Sequence, residues 1–282
     1  RGGTTNRQRT VTGTLATIVD IAREAMEQAS VVVGEINPWV PFTFGDTIVS
    51  VSDFDLLVKS TEPPIYFKRR AVNKVIDQVA ANIAQVIEDG DCLSFVPDSL
   101  CEALGRRLTH KRQLGIHSSC FTDALMDLVK SGAVTNYRKE VFRGKSVASY
   151  ALGTPKLMAW LDRNPLIEFQ GVEQVFDPTQ IGRNPNFVAV FRARKVDLLG
   201  RVAFSVGKGS FSSGPGQGAD LFTGTQVGSW DISGNGNNRD YVPTRIGLDA
   251  SVVSLPTVFD LAEQRLVFVT PRVEDKKAMS AR

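Results

Sequence analysis

From residue 92 to residue 163, short β-branched or apolar runs alternate with amphipathic stretches of about ten residues. That alternation is the feature that most restricts the fold. Strand-length runs separated by helices of this size build parallel sheets with helices packed on their faces. The expected strands are 92–95, 114–118 and 147–152, in one mainly parallel sheet, and the expected helices are 98–108, 121–130 and 155–163. Asp98 or Ser99 caps the first helix, and Pro155 stands in the first turn of the third. An earlier helix spans about 70–88, closed by Asp89-Gly90. Later strands are expected at 172–175, 187–193, 202–206, 250–253 and 265–270. The fold class is therefore α/β, a largely parallel sheet with flanking helices.

The chain before this block reads differently. Residues 11–29 carry one apolar stripe and suggest a helix, and 30–36 (SVVVGEI) suggest a strand buried on both faces. Another strand is expected at 47–51. Thr61-Glu62-Pro63-Pro64 is the clearest linker, because paired prolines fit neither a helix interior nor a central strand. It divides the chain into a first part, 1–63, and a second, 64–282. Glycine, serine and asparagine dominate 207–238. A glycine-rich segment of that length is either disordered or functional.

Composition removes several classes. With 33 Lys and Arg against 30 Asp and Glu, interspersed, the net charge of +3 gives no case for nucleic acid. No apolar run reaches membrane-spanning length, and the polar start Arg1-Gly2-Gly3-Thr4-Thr5 has no secretory core. Three dispersed cysteines and two histidines suggest neither a disulfide framework nor a metal site. The expected location is cytoplasmic. The basic clusters Lys68-Arg69-Arg70, Arg106-Arg107 and His110-Lys111-Arg112 read as solvated helix ends, or as contacts for the phosphates of an anionic cofactor.

His117-Ser118-Ser119-Cys120 sits at a strand-to-helix junction, where ligands of α/β sheets usually bind. The run either supplies a nucleophile with His117 as base, or Ser118 or Ser119 merely caps the next helix. A second candidate is the loop from Ser212 to Asp220, whose glycine backbone N–H groups suit an anion. No strand enters it directly and no helix follows, so it is not a dinucleotide fingerprint. Glu168, Glu173 and Asp177 are further acidic candidates, read as structural carboxylates.

Several segments, in unbroken order, resemble the acetyl-CoA hydrolase/CoA-transferase family. They include Glu35-Ile36-Asn37 with Thr43-Phe44-Gly45-Asp46, Ile87-Glu88-Asp89-Gly90, and Leu114-Gly115-Ile116-His117 with Phe121-Thr122-Asp123. Gly132 with Thr135-Asn136, Ser149 with Gly153-Thr154, Asn164-Pro165 with Glu168-Phe169, and Ser213–Asp220 continue the series. The resemblance implies a CoA-transferase-like fold and coenzyme A as a substrate thioester. It implies an acyl-CoA donor, with a carboxylic acid or water as acceptor. In such enzymes a glutamate attacks the thioester and passes through an acyl anhydride, and the glycine loop holds CoA. On this reading His117, Ser119 and Cys120 are the catalytic candidates, and Gly214, Gly216, Gln217 and Gly218 hold the cofactor.

The departures from the family pattern are specific. Ser119 stands where the family has its glutamate. Leu93-Ser94-Phe95-Val96-Pro97-Asp98 lacks the family's glycine turn, and Gly216-Gln217-Gly218 replaces Gly-Gly-Gln. Residues 1–63 resemble only the end of the family's first domain. The resemblance therefore implies a homo- or hetero-oligomer, in which another chain supplies the missing strands. It also leaves open a non-catalytic subunit.

Overall fold

The computed structural model describes residues 12–192, 195–196, 202–203, 252–254 and 265–269. The expected alternation is present. Helix α2 (Lys74–Val86) starts at Asn73, whose side chain accepts from the Ile76 amide, and buries Ala80, Ile83 and Ala84 along one stripe. Strand β6 (Cys92–Phe95) is buried at every position, as expected for a strand covered on both faces. Asp98 then caps α3 (Ser99–Arg107) by accepting from the Leu100 and Cys101 amides. Next come β7 (Gly115–Ile116), β8 (Cys120–Phe121), α4 (Asp123–Lys130), β9 (Ser146–Ala148), β10 (Tyr150–Ala151) and α5 (Pro155–Leu161). Strand β11 (Ile167–Phe169), short helices α6 (Val172–Val175) and α7 (Pro178–Arg183), and β12 (Phe187–Arg192) follow. The last described elements are β13 (Lys195–Val196), β14 (Val202–Ala203), β15 (Val252–Ser254) and β16 (Arg265–Val269).

Five strands hydrogen-bond in the order β15-β16-β12-β6-β7, parallel except for β15. A parallel three-stranded sheet contains β9 and β11. The three runs expected in one sheet are divided: β6 and β7 lie in the five-stranded sheet, β9 in the three-stranded one, and β10 with β8 in a separate pair. Among the described residues, a bridge from His117 to Val147 links the first two sheets. The 147–152 run is therefore two strands separated by a bend at Ser149. Of these, β9 continues beyond β7, whereas β10 pairs with β8. Alternate residues face two cores. Leu93, Phe95, Val188 and Val190 join the cluster under α2, α3 and α4. Cys92, Phe187 and Ala189 join Val147, Val175 and Ile181 on the opposite side. Period-two alternation thus gives this sheet helices on both faces.

The first part of the chain is sparser. Strand β1 (Thr12–Thr14) pairs with β4 (Ile48–Ser50), and α1 is limited to Ala22–Gln28 with no buried residue. The single long helix expected at 11–29 is corrected accordingly, because Ala16 and Asp20 take positive φ and break the run. The strand expected to be buried at 30–36 is β2 (Val33–Ile36). Among the described residues it pairs only with β5 (Leu56–Lys59), and of its four residues only Gly34 is buried. Strand β3 (Phe44–Gly45) reaches across to join β11. Gly45 has φ +104, and a Cβ there would lie 2.1 Å from the Phe169 carbonyl oxygen, so only glycine permits the crossing. The run at 172–175 is helical rather than a strand: Gly171 precedes it, and Val175, three residues after Val172, is its buried position. Among the described residues, no helix is long and apolar enough to cross a membrane.

Candidate functional site

Beyond Ile116 the chain leaves the β7 ladder and crosses, through 117–119, to pair with β10. All four residues of the expected motif are buried there. His117 lies on the α6–α7 side. Its Nε2 is 2.8 Å from the Val175 carbonyl oxygen, and its Nδ1 is 3.3 Å from the Asn184 side-chain amide nitrogen. That network assigns the proton to Nε2, which donates to Val175 while Nδ1 accepts. Burial, with the nearby Lys139 charge, pushes the imidazole down to about 3.

Ser118 does not cap α4. Its Oγ donates to the Phe95 carbonyl (3.0 Å) and accepts from the Phe95 amide (3.2 Å), tying the crossing to the end of β6. Ser119 does not cap α4 either; the cap position is Thr122. The Ser119 carbonyl accepts from the Ser149 and Tyr150 amides at 3.0 and 3.2 Å. Cys120 directs its thiol to the Phe121 carbonyl at 3.7 Å, and burial pushes that thiol up to about 12. The structure thus brings the four residues into one crossing while giving His117 and Cys120 separate hydrogen-bond partners.

Next to the crossing is a cleft at the carboxyl ends of β6, β8 and β10. Its walls are the start of α3 with Asp98, Cys101 and Glu102, the start of α4 with Thr122 and Asp123, and Leu152-Gly153. An extended strap, residues 67–70, forms the remaining wall. The Phe67 amide donates to the Gly153 carbonyl at 2.9 Å. Arg69 reaches Glu102 at 2.9 Å and Asp127 at 2.7 Å, and these carboxylates hold its guanidinium above the ordinary range. The basic run 68–70 is thus no helix end; it lines the cleft. Asp123 accepts from the Thr154 amide and hydroxyl at 3.0 and 2.5 Å, fixing the start of α5. A Cβ on Gly153 would approach that carboxylate to 2.4 Å.

The remaining candidates are placed as follows. Gly214, Gly216, Gln217 and Gly218 lie outside the described residues. Glu168 faces Lys145 at 3.7 Å, Glu173 lies in the first turn of α6, and Asp177 caps α7 through the Thr179 amide. The sequence places Asn136 in a family-like segment without giving it a role, and it does not single out Lys139 or Asn184. Each is a lone polar residue in an irregular segment, with no periodic signal to show that it is buried beside the crossing.

Solved structures that share this fold include a CoA-transferase. RipA from Yersinia pestis matches with a TM-score of 0.69 and 27% identity, over 77% of this chain and 48% of that one. A 4-hydroxybutyrate CoA-transferase from Porphyromonas gingivalis matches with a TM-score of 0.69 and 25% identity, over 78% and 52%. The fold thereby defines the class. Residues 153–236 match the acetyl-CoA hydrolase/transferase C-terminal domain, and the chain belongs to that family. A succinyl-CoA:cyclohexane-1-carboxylate CoA transferase of Geobacter metallireducens is 36% identical over 209 residues, 72% of this chain and 47% of the relative. A 4-hydroxybutyrate coenzyme A transferase of Clostridium kluyveri is 34% identical over 209 residues, 74% and 48%. The chain spans about half the length of these curated relatives.

Proposed function

We propose that this chain handles an acyl-CoA thioester, with a carboxylic acid or water as the second reactant. The observation that carries this reading is the identity of more than a third to a named CoA transferase across 209 residues. The cleft beside the crossing at the carboxyl ends of parallel strands supports it, since ligands of such sheets collect there. In this reading the thioester carbonyl approaches the 117–120 crossing, and Gly214, Gly216, Gln217 and Gly218 bear on CoA. Lys68 and Arg70, on the strap, suit the phosphates of the same ligand. Its setting is cytoplasmic, consistent with three free cysteines.

A second reading, a non-catalytic subunit of a heteromeric CoA-transferase-like assembly, is favoured by the local chemistry. Ser119 has no carboxylate to form an acyl anhydride. His117 has both nitrogens engaged, and the Cys120 thiol is held far from ionisation. The apolar, exposed β2–β5 ribbon suits a partner chain that adds strands to it.

One experiment separates the readings. Wild type and Ser119→Glu are each mixed with butyryl-CoA, with and without acetate as acceptor; binding is read by calorimetry, adducts by peptide mass spectrometry, and transfer or hydrolysis by the acetyl-CoA or free CoA formed. Binding by wild type, with transfer or hydrolysis gained by Ser119→Glu, supports an acyl-CoA site. An acylated Cys120 peptide in the wild type would reveal a rebuilt enzyme. No binding by either protein would sink the acyl-CoA reading and leave the subunit reading.

A further inference from the structure

Where the edge strands β7 and β9 of the two sheets meet, Ile116 has side chains rather than backbone rungs on its β9 side. On its β6 side the ladder is regular: the Gly115 amide donates to Asp91 and the His117 amide to Leu93. The amide and carbonyl of Ile116 point the other way, and two side chains meet them. The Asn136 amide oxygen accepts from the Ile116 N–H at 2.9 Å, while its nitrogen donates to Ser146 Oγ at 3.1 Å. Lys139 Nζ donates to the Ile116 carbonyl at 2.9 Å and to the Lys145 carbonyl at 2.8 Å.

Both residues are buried, Asn136 at 4% exposure and Lys139 at 3%. Gly115 makes room for the lysine stem, since a Cβ there would lie 2.9 Å from Lys139 Cγ. Asn136 holds φ +59, which asparagine tolerates better than most residues. A buried ammonium satisfied by carbonyls, with no carboxylate at ion-pair distance among the described residues, is costly to keep. Burial pushes it down to about 8, although Cys92 and Glu168 nearby oppose that shift. A backbone rung would meet the same two groups of Ile116 without that cost. The next residues after Ile116 are the crossing itself.

We propose that Asn136 and Lys139 are positioning residues: they replace the missing rungs between β7 and β9 and fix the line along which 117–121 crosses into the candidate site. That this crossing meets a thioester rests on the acyl-CoA reading; the staple itself does not.

Two variants isolate the side chains. Lys139→Met keeps the apolar stem on Gly115 and removes the ammonium. Asn136→Gly keeps the positive-φ backbone and removes the amide. Hydrogen exchange by mass spectrometry then compares residues 114–121 with α3 and β12. The expected result is exchange faster by roughly ten- to a hundredfold in 114–121, with α3 and β12 unchanged. Butyryl-CoA affinity should fall at least about tenfold in both variants, since misplacing a binding segment removes its contacts. Unchanged protection, an equal rise in all three segments, or unchanged affinity would overturn the positioning role. If wild type binds no butyryl-CoA, the acyl-CoA reading fails, and the exchange pattern alone decides whether the staple holds the crossing.

Discussion

Two strand regions of this chain are both marked by apolar residues and have opposite fates. In β6, Leu93 and Phe95 are buried between helices. In β2 and β5, Val33, Ile36, Leu56 and Val58 are 57%, 56%, 56% and 47% exposed. The first stretch is flanked by β7 and β12 and roofed by α2 and α3; the second is a two-stranded ribbon. An isolated two-stranded pair is marginal in water because it has almost nothing to bury its faces against. The difference teaches that an apolar strand signal reports what a segment is made to touch. Whether the touching surface lies within the same chain is a separate matter.

Three substitutions or conditions test that contrast, in order of expected effect. Leu104 is fully buried where α3 meets the core. Leu104→Ala should cost about 3–4 kcal/mol in chemical denaturation. A cost under about 1 kcal/mol would mean the α3 layer is not packed as described. Acid acts next, through His117. The ring is held at about 3 in the fold against an ordinary 6.5, so the unfolded chain binds the extra proton between those values. His117 therefore contributes a loss of stability as pH falls from about 6.5 toward 3. The slope of stability against pH should flatten in His117→Phe, and an unchanged slope would exclude His117 as its source. The smallest effect belongs to the ribbon. Val33→Ser with Leu56→Ser should shift stability by less than about 0.5 kcal/mol in the isolated chain, because neither side chain leaves a packed site. A shift comparable to that of Leu104→Ala would erase the distinction between the two regions.

The helix–strand alternation from 74 to 161 was readable because its signals are local. The apolar stripe of α2, the Asp98 cap and the Pro155 start each lie within one turn of the element they define. The stripe at 11–29 misled because Thr12 and Thr14 gain strand pairing from β4, more than thirty residues on, which a local period cannot register. At 172–175 the sequence Val-Glu-Gln-Val carries its two apolar residues three apart, which suits one helical turn, so the strand expectation there lacked an alternating pattern. In the candidate site, the position of the 117–120 motif was legible from its strand-to-helix context. The environment of His117 was not, because Val175 and Asn184 arrive from 58 and 67 residues away. The role of the 68–70 strap also depends on long-range partners, Glu102 and Asp127.

The Gly45 crossing imposes an order in time. Phe42 is held by the Asp162 carboxylate, 120 residues later, and among the described residues the strand partner of β3 is β11. At synthesis rates of about 5–20 residues per second, that separation is a wait on the order of ten seconds. Over that interval the segment around Phe42 and Phe44 can meet residues 14–16 but lacks Asp162 and β11. This segment is thus seated only after residues far later in the chain, and its exposure to other chains is greatest before the sheet that receives it is complete.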